Sequence, residues 1–495
     1  MPRPRSDLLH TTTREELDRL AEQGELVTAF RELRYDEGTP VGVFLRLAGE
    51  KHAVLLESAE GGERWGRWSF LGFGPRRTLL QRGREVTLRE GRRARMTTEV
   101  RPLDVLRALV GDRRLARDPR LPPFVGGWVG YLGWGAVSWF EPRVPQRHGP
   151  DPDFPDAEWM ELDRVIAFDH VRRVVQLIAV IEPRAWRSGA AAHREALRRL
   201  DGLERVLSAA PPRARPYRPP VRARARDDGE GFKAAVARVR EYIAAGDCMQ
   251  VVVSRRVEAR YPGDPFELYR RIRHHTPAPY LFHLRMGERT LIGASPEVLL
   301  RVADGRVSVR PIAGTRRRGR TPAEDLAIEQ ELRADPKERA EHVMLLDLGR
   351  NDVGRVSKPG SVVVEAREVI ERYSHVMHLV SQVSGELREG LDGFDAVASV
   401  FPAGTVSGAP KVRAMEIIDE LEPMARGPYA GAVGYVGYDG VIDLAITIRS
   451  LALAGARLRF QAGAGIVHDS SPERELEETE EKMRGLLSAL GVAAP

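Results

Sequence analysis

The segment FKAAVARVREYIAAGDCMQVVVSRRVEARY, residues 232–261, has an amphipathic helix pattern directly before a strand pattern. Its first half repeats apolar residues at helical spacing, and its second half carries the valines at 251–253 after a short turn. The first pattern is typical of a helix that covers a sheet, and the second of a strand inside one. The segment therefore predicts a protein built from helices packed on sheets.

Two further segments begin with an Asp-Pro pair, DPFELYRRIRHH at 264–275 and DPKERAEHVMLLDLGRND at 335–352. Asp is a favoured N-cap and Pro a favoured first helical residue, so both segments are predicted helices. Strand and helix patterns then alternate to residue 468, and a glutamate-rich helix ends the chain. The whole pattern predicts an α/β or α+β fold.

The N-terminal part has more strand signals. Residues 41–80 alternate short apolar stretches with Gly and Pro, which is typical of short antiparallel strands, and 190–208 form an amphipathic helix pattern. Residues 209–231 are rich in Pro and Arg and lack an apolar period. We therefore expect a strand-rich region at 1–208, a linker at 209–231 and a catalytic region at 232–495.

Composition limits the class of protein. The chain has 495 residues, 42% of them hydrophobic, and no segment approaches the roughly 20 consecutive apolar residues of a membrane span. Its charged N-terminus lacks the apolar stretch of a secretory signal. One cysteine, Cys248, excludes an internal disulfide and a metal site of several cysteines. These features predict a cytoplasmic protein with no membrane partner.

The charge of +6 and the pI of about 9.5 raise the question of a nucleic-acid partner. The 77 basic residues are almost all arginines, and they are interleaved with 71 acidic residues over the whole length. This distribution is not a basic patch, so we expect no nucleic-acid partner. Because lysine is scarce, a general surface role is less expected for Lys337, beside Glu338, and for Lys411 of SGAPK.

The terminal segment SPERELEETEEKM, residues 471–483, carries six glutamates. On a helical wheel its buried face is formed by Leu476, Met483, Leu486, Leu487 and Leu490. The opposite, solvated face carries Glu473, Glu477 and Glu481. The edge between the two faces, directed at the body of the protein, carries Glu475, Glu478 and Lys482.

The helix predicted at 335–352 offers a second pair of carboxylates. Glu338 occupies the third helical position after Asp335, where it can complete a capping box or serve a site. Glu341 shares the apolar face with Leu345 and Leu348, and a carboxylate there is costly unless it is paired or binds a cation. A buried salt bridge to an arginine is the alternative for Glu341.

Two helices thus each direct Glu at i and i+3 towards the interior. Four carboxylates without a His or Cys cluster suit Mg²⁺, which binds a few carboxylates and keeps waters for substrate oxygens. The residues alone therefore predict a Mg²⁺ site for an anionic substrate.

Motifs along the chain resemble the chorismate-utilising enzymes, most closely the large components of anthranilate synthases. They run in family order over residues 246–482, and two thinner matches, VLLES and GRWSFLGFGP, precede them. The matching motifs are GDCMQVVVSRR, GASPEVL, PIAGTRRRG, EHVMLLDLGRND, SHVMHLVSQVSGEL, FPAGTVSGAPKVRAMEII, YAGAVGYVGYDG, AITIRS and QAGAGIVHDSSPERELEETEEK. The resemblance implies two packed β-sheets surrounded by helices. It also implies that ammonia replaces the C4 hydroxyl of chorismate by attack at C2, after which pyruvate is eliminated.

The resemblance assigns the charged residues. Glu341 and Glu478 would bind Mg²⁺, and Glu338 and Glu475 would complete its shell. Glu297 would be the general acid for the departing hydroxyl, which requires a raised carboxyl pKa. The alternative for Glu297 is an ordinary charge at a helix start.

The resemblance also assigns the substrate contacts. His378 would serve pyruvate elimination and position the ring, although a lone His in an apolar segment is often a core residue. Thr405 would hydrogen-bond substrate, and Tyr429 and Arg449 would hold the enolpyruvyl carboxylate. Lys482 would supply a neighbouring cation. Backbone N–H groups for the same carboxylate would come from Gly463, Ala464 and Gly465, with a similar role for Gly314 and Thr315.

Two positions choose between members of the family. Water-using isochorismate and salicylate synthases carry a lysine base where this chain has Gln250, and ammonia needs no such base. Aminodeoxychorismate synthases carry a lysine where this chain has Ala313. Both positions favour anthranilate formation. The alternatives are an aminodeoxyisochorismate synthase, an aminodeoxychorismate synthase and an isochorismate or salicylate synthase; a basic nucleic-acid-binding protein is the non-enzyme alternative.

Partners follow from the same resemblance. Cys248 lacks the Gly-x-Cys-x-Gly turn of a glutaminase, so ammonia is expected from a separate glutamine amidotransferase subunit in a heterotetramer. Tryptophan is expected as an inhibitor, although Thr276 and Ala278 depart from the family's binding segment. The expected tryptophan-binding residues are Glu57, Ser58, Pro279, Tyr280 and Leu281.

Overall fold

The computed structural model describes residues 7–58, 66–99, 101–111, 113–210, 212, 217–225, 229–372 and 376–492. Its helices are α1 Arg14–Gln23, α2 Pro40–Leu45, α3 Pro102–Val110, α4 Val137–Phe140, α5 Gly189–Ser208, α6 Glu230–Ala244, α7 Pro265–His275, α8 Pro322–Ala334, α9 Pro336–Gly354, α10 Gly393–Val400, α11 Lys411–Leu421 and α12 Pro472–Ala489.

The strands before the predicted linker are β1 Leu8–Thr11, β2 Leu26–Arg34, β3 His52–Glu57, β4 Trp68–Phe73, β5 Arg77–Arg82, β6 Glu85–Glu90, β7 Arg93–Thr98, β8 Leu115–Ala116, β9 Gly127–Leu132, β10 Ala157–Leu162, β11 Arg164–Asp169 and β12 Val174–Ile181. The later strands are β13 Val221–Ala225, β14 Gln250–Arg260, β15 Tyr280–Met286, β16 Arg289–Ser295, β17 Val298–Ala303, β18 Arg306–Val309, β19 Ile312–Arg317, β20 Val363–Arg372, β21 Val376–Glu386, β22 Gly408–Ala409, β23 Ala432–Gly437, β24 Ile442–Ile446, β25 Ser450–Ala454 and β26 Arg457–Ile466.

The strands form two large sheets. The first follows the order β1-β2-β12-β11-β4-β3-β15-β16-β25-β26-β14-β13, with β8 beside β2 and β22 beside β14. The second follows β19-β21-β18-β17-β24-β23-β9-β10-β5-β6-β7, with β20 beside β21. Among the described strands the pairs are antiparallel except β2 with β8. The fold is therefore mixed helix and antiparallel sheet, which confirms the α+β form of the prediction.

The two sheets share one buried layer and are covered by helices outside it. That layer combines Phe30, Ile178 and Phe282 of the first sheet with Val129, Met160 and Val433 of the second. On the first sheet a second apolar cluster includes residues of α1, α2, α5, α7 and α12. A third cluster includes residues of α3, α9 and α10, which cover the second sheet, and of α6 and α11, which pack against β14 of the first sheet. The predicted packing of two sheets inside a shell of helices is confirmed.

The predicted linker is partly regular structure. Residues 221–225 form β13, which pairs with β14, and α6 begins at Glu230. Both sheets also contain strands from before and after residues 209–231. The described part of this segment is therefore not a plain linker, and the boundaries at 208 and 232 remain a prediction from composition.

The prediction of strands over 41–80 is wrong at its start, because Pro40–Leu45 form helix α2. The Thr39 hydroxyl accepts a hydrogen bond from the Gly42 N–H at 3.1 Å, and Pro40 occupies the first turn. The Thr39 cap satisfies a backbone N–H of the first helical turn, and Pro40 is favoured at the first helical position. Together they favour a helix here more strongly than the apolar alternation favours a strand. The strands begin only at His52.

The other predicted helices are confirmed by α5, α6, α7, α9 and α12. Asp264 and Asp335 cap α7 and α9 with their side chains, as the Asp-Pro pairs predict. Among the described residues, none of the helices combines the length and the apolar character needed to cross a bilayer.

Candidate active site

A buried carboxyl lies between β16 and β17. Glu297 accepts hydrogen bonds from the Thr405 hydroxyl, 3.1 Å from each carboxylate oxygen. Burial raises the pKa of Glu297 to about 8, against the lowering effect of Thr405 and of a backbone hydrogen bond from Ile312. The carboxyl therefore keeps its proton at neutral pH. The alternative of a charge at a helix start is wrong, because β17 follows one residue later.

The imidazole of His378 lies on β21 opposite β19. Its ring donates to the backbone of Gly314, and burial, together with the nearby charge of Arg449, lowers the pKa of His378 to about 4. The imidazole is therefore neutral at pH 7 and can accept a proton. Thr315 pairs with His378 in the strand register, while its side chain lies outside the described part of the structure.

A buried guanidinium lies next to a buried phenol. Arg449 donates from Nη1 to the Lys482 carbonyl at 3.2 Å, and burial lowers the pKa of Arg449. Among the described residues no carboxylate lies within ion-pair distance of it. The Tyr429 hydroxyl accepts from the backbone of Gly463, and burial raises the pKa of Tyr429 to about 12. A buried cation with no anion of its own fits a substrate carboxylate.

Strand β26 connects this pair to the predicted metal ligands. Gly463, Ala464 and Gly465 lie in the extended strand beside β14, not in a turn. The amide of Gln250 packs over Gly465 so closely that a Cβ on that glycine would lie 2.6 Å from Gln250 Nε2. That amide nitrogen lies 3.5 Å from Glu341 Oε1. A side chain at 465 would therefore push the Gln250 amide from its present position beside Glu341.

The carboxylates of α9 divide as follows. Glu341 lies on the face of the buried Leu345, as predicted, and among the described residues it has no arginine within ion-pair distance. Burial and the charges of Glu338 and Glu478 raise the pKa of Glu341. Glu338 accepts from Arg316 Nη1 at 2.7 Å and does not complete a capping box. Glu338 also lies beside Gly314, where a Cβ would approach its carboxylate to 3.2 Å.

The carboxylates of α12 divide only in part as predicted, because Glu478, expected at the same inward edge as Glu475, is exposed. Glu475 is buried, and burial raises its pKa together with the charge of Glu478. Glu478 is exposed and accepts from Lys482 Nζ at 2.6 Å, and the same ammonium donates to the Gly463 carbonyl at 2.9 Å. The predicted solvated residues Glu473, Glu477 and Glu481 are all exposed.

The four glutamates fit a hard cation in chemistry and charge. Glu341 and Glu475 have raised pKa values in part because Glu338 and Glu478 place like charge near them, and a cation would relieve that repulsion. Within the described ranges, however, no three or more His, Cys, Asp or Glu side chains are already arranged around one metal position. Binding would therefore require Glu338 and Glu478 to turn from Arg316 and Lys482.

The five residues predicted for tryptophan line one separate cavity of about 120 Å³. Glu57 accepts there from Arg273 Nε at 3.0 Å and from the Tyr269 hydroxyl. Among the described residues, the buried Ser58 hydroxyl and Arg301 Nε have no hydrogen-bond partner. Aromatic walls and these polar atoms are the features of a pocket for a small amphipathic ligand. The walls include Trp68, Phe70, Phe282 and Tyr435.

Sequence reasoning missed the partners of several site residues. Arg316 pairs with Glu338, and Arg301 and Asp443 complete the second cavity. Nothing in their spacing marks these residues, because each contact joins elements that are distant in sequence. Lys411 differs from these residues, because the scarcity of lysine in the sequence already indicated that it is not a general surface charge.

The comparisons with known proteins point to one family. A family model described as chorismate binding enzyme matches residues 51–488. Anthranilate synthase component 1 of Pseudomonas putida is 44% identical over 97% of this chain and 98% of its own length. That of Streptomyces coelicolor is 45% identical over 95% of this chain and 90% of its own length.

Solved structures show the same fold. Anthranilate synthase component I of Streptococcus pneumoniae superposes with a TM-score of 0.76 at 33% identity, covering 92% of this chain and 98% of that one. The menaquinone-specific isochorismate synthase of Escherichia coli has a TM-score of 0.70 at 18% identity, covering 96% and 98%, and supports the fold alone.

The chain belongs to the chorismate binding enzyme family and is an enzyme that acts on chorismate. Within that family, relatives over nearly its whole length are the first components of anthranilate synthases. The resemblance predicted from the motifs is confirmed.

Proposed function

We propose that this chain converts chorismate and ammonia to anthranilate, pyruvate and water, as the chorismate-binding component of an anthranilate synthase. The Glu297–Thr405 pair carries the proposal, since a carboxyl that stays protonated at neutral pH is what a departing hydroxyl needs. The buried Arg449 beside Tyr429 supports a substrate with a carboxylate. Gln250, in place of a lysine base, supports ammonia as the nucleophile.

The proposed chemistry has two stages. As ammonia attacks C2, Glu297 donates its proton to the C4 oxygen, the C4–O bond breaks and water leaves. Removal of the C2 proton then breaks the bond between the ring and the enolpyruvyl oxygen, and the ring becomes aromatic. The side chain leaves as enolpyruvate, which takes up a proton at its methylene carbon to become pyruvate. We propose that His378, whose imidazole is neutral at pH 7, serves this second stage.

We also propose Mg²⁺ as the cofactor, held by Glu341 and Glu478 with support from Glu338 and Glu475. Bound there, Mg²⁺ would supply positive charge against a substrate carboxylate. Oxygen ligands without His or Cys are those that Mg²⁺ prefers. The charge that converges on Glu341 supports this assignment.

Product analysis tests the proposed reaction. Chorismate, Mg²⁺ and ammonium with the purified chain are expected to give anthranilate, followed by its fluorescence and by chromatography. Isochorismate, 4-amino-4-deoxychorismate or accumulated aminodeoxyisochorismate would instead identify another reaction of the family.

We further propose a separate glutamine amidotransferase subunit as the ammonia source, in a cytoplasmic heterotetramer. The single thiol supports this, because Cys248 is buried at the start of β14 and burial raises its pKa, so it is a poor nucleophile. The purified chain is expected to use ammonium but not glutamine. Glutamine-dependent turnover by this chain alone would contradict the proposal.

The second cavity is proposed as an inhibitory tryptophan site. Its Ser58 hydroxyl, which has no hydrogen-bond partner in the part of the chain that the structure describes, suits a polar ligand atom, and Trp68 and Tyr435 suit an indole. Replacing Ser58 with Ala is expected to raise the tryptophan concentration for half-inhibition about tenfold, the equivalent of one hydrogen bond. Inhibition curves for both proteins check this. Equal sensitivity of the two proteins, or a wild-type protein whose melting temperature tryptophan does not change, would contradict the assignment.

A further inference from the structure

Thr405, which donates to Glu297, lies in a loop between α10 and α11 that is anchored at both ends. At the exit end, Arg426 Nη1 donates to the Val406 carbonyl at 2.7 Å, and its guanidinium is paired with the buried Glu422. The Val252 N–H of β14 also donates to the Ser407 carbonyl at 2.8 Å. The exit end is therefore fixed to β14 and to a buried ion pair.

At the entry end, the anchor is the lysine of the SGAPK motif. Lys411 Nζ donates to the Val400 carbonyl at 2.8 Å and to Asp352 Oδ2 at 2.7 Å. The exposed fraction is 11% for the Lys411 side chain and 9% for that of Asp352. The Ser399 hydroxyl donates to the Asp352 carbonyl at 2.6 Å. One ammonium thus joins the end of α10, the start of α11 and helix α9.

The loop between these anchors packs directly on α9. A Cβ on Gly404 would overlap the end of the Leu348 side chain, so the loop backbone at Gly404 lies directly against the side chains of α9. Glu297, Thr405 and Asp352 line the same cavity, together with Arg310. A shift of the entry end would therefore move Thr405 relative to Glu297.

We propose that Lys411, held by Asp352, is a positioning residue that keeps the Thr405 hydroxyl against Glu297. The ion pair does not contact Glu297 itself and acts through the loop. This inference rests on the proposed roles of Glu297 and Thr405 in the reaction. A largely buried lysine that donates to a backbone carbonyl is more than a surface charge, because removing it leaves two buried acceptors without a donor.

The test is a double-mutant cycle between Lys411→Met and Thr405→Val. Lys411→Met is expected to lower kcat about 10- to 100-fold, the order of effect of a misplaced catalytic group, with KM for chorismate changed less. In the Thr405→Val background the same change is expected to have little further effect. The hydrogen bonds from Thr405 lower the pKa of Glu297, so their loss in Lys411→Met should raise that pKa. The alkaline limb of the kcat profile should therefore move to higher pH in this variant.

Controls separate positioning from folding. Lys358 pairs with Glu386, and each of the two side chains is 54% exposed. Lys358→Met should therefore change neither kcat nor the pH profile. Lys411→Arg keeps a cation and should retain more activity than Lys411→Met. If Lys411→Met does not fold, Asp352→Asn is measured in the same cycle with the same expectation.

Three results would overturn the inference. If the fold-losses in kcat of Lys411→Met and Thr405→Val multiply in the double variant, the two residues act independently. An unmoved alkaline limb in a folded Lys411→Met protein would show a merely structural role. Full activity of Thr405→Val would refute the proposed role of Thr405 and the inference together, whereas the first two results leave that role intact.

Discussion

Replacing Glu297 with Gln is expected to lower kcat for anthranilate formation by about 10²- to 10⁴-fold, the usual contribution of a general acid. Gln keeps the size and the hydrogen bond from Thr405 but has no proton to give to the C4 oxygen. Steady-state kinetics with chorismate and ammonium measure the loss. KM for chorismate should change little, since the carboxyl is proposed to act on the departing hydroxyl.

The pH dependence gives the same assignment a second test. Glu297 has a pKa of about 8, so its acid form is the major one at neutral pH and is lost as the pH rises further. Wild-type kcat is therefore expected to fall towards tenfold per pH unit above about pH 8. This limb should be absent from the residual activity of Glu297→Gln. A limb that persists unchanged in that variant would contradict Glu297 as the acid.

The pH dependence of folding stability should also reflect the raised pKa of Glu297. Because its pKa is raised in the folded state, the native protein holds a proton that the unfolded chain has lost between about pH 4.5 and 8, and stability falls as the pH rises through that window. Glu297→Gln should lose less stability than the wild type between pH 5 and 8, measured as urea midpoints. Glu288→Gln, an exposed glutamate in the preceding hairpin, is the matched control and should behave like the wild type.

Local patterns predicted the parts of the site that one helix or strand determines. The wheel of α12 correctly separated the buried Glu475 from the exposed Glu473 and Glu477, because the spacing of leucines sets which face is covered. The apolar neighbours of Glu341 predicted its burial for the same reason. Local patterns gave the wrong prediction for α2, because its apolar alternation suggests a strand whereas the cap at Thr39 favours a helix.

Contacts between distant elements could not be predicted in this way. The pair of Lys411 and Asp352 spans 59 residues, and the hydrogen bond from Thr405 to Glu297 spans 108. Neither separation corresponds to a helical or strand period, so only the tertiary fold brings these groups together. The family resemblance supplied Glu297 and Thr405 because it carries tertiary information that periodicity lacks. It supplied no role for Lys411, which became a candidate once its contacts were known.

Replacing Glu341 with Gln is expected to reduce Mg²⁺-dependent anthranilate formation by about a hundredfold or more, because a neutral amide is a weak ligand for a hard cation. Glu341 is partly buried, and among the described residues only the Gln250 amide, at 3.5 Å, is hydrogen-bonded to its carboxylate. The other three are already hydrogen-bonded to Arg316, Ser470 or Lys482. The loss should therefore be larger for Glu341 than for Glu338.

A thermal readout makes this test independent of turnover. Mg²⁺ that binds the folded state raises the melting temperature of the wild type, and this rise should disappear in Glu341→Gln. Without Mg²⁺ the variant should be no less stable than the wild type, since it removes a buried charge that Glu338 and Glu478 repel. Glu477→Gln, an exposed glutamate of α12, controls for the lost charge and should keep both the Mg²⁺ response and the activity. An unchanged Mg²⁺ response in Glu341→Gln would place the cation elsewhere, whatever the effect on kcat.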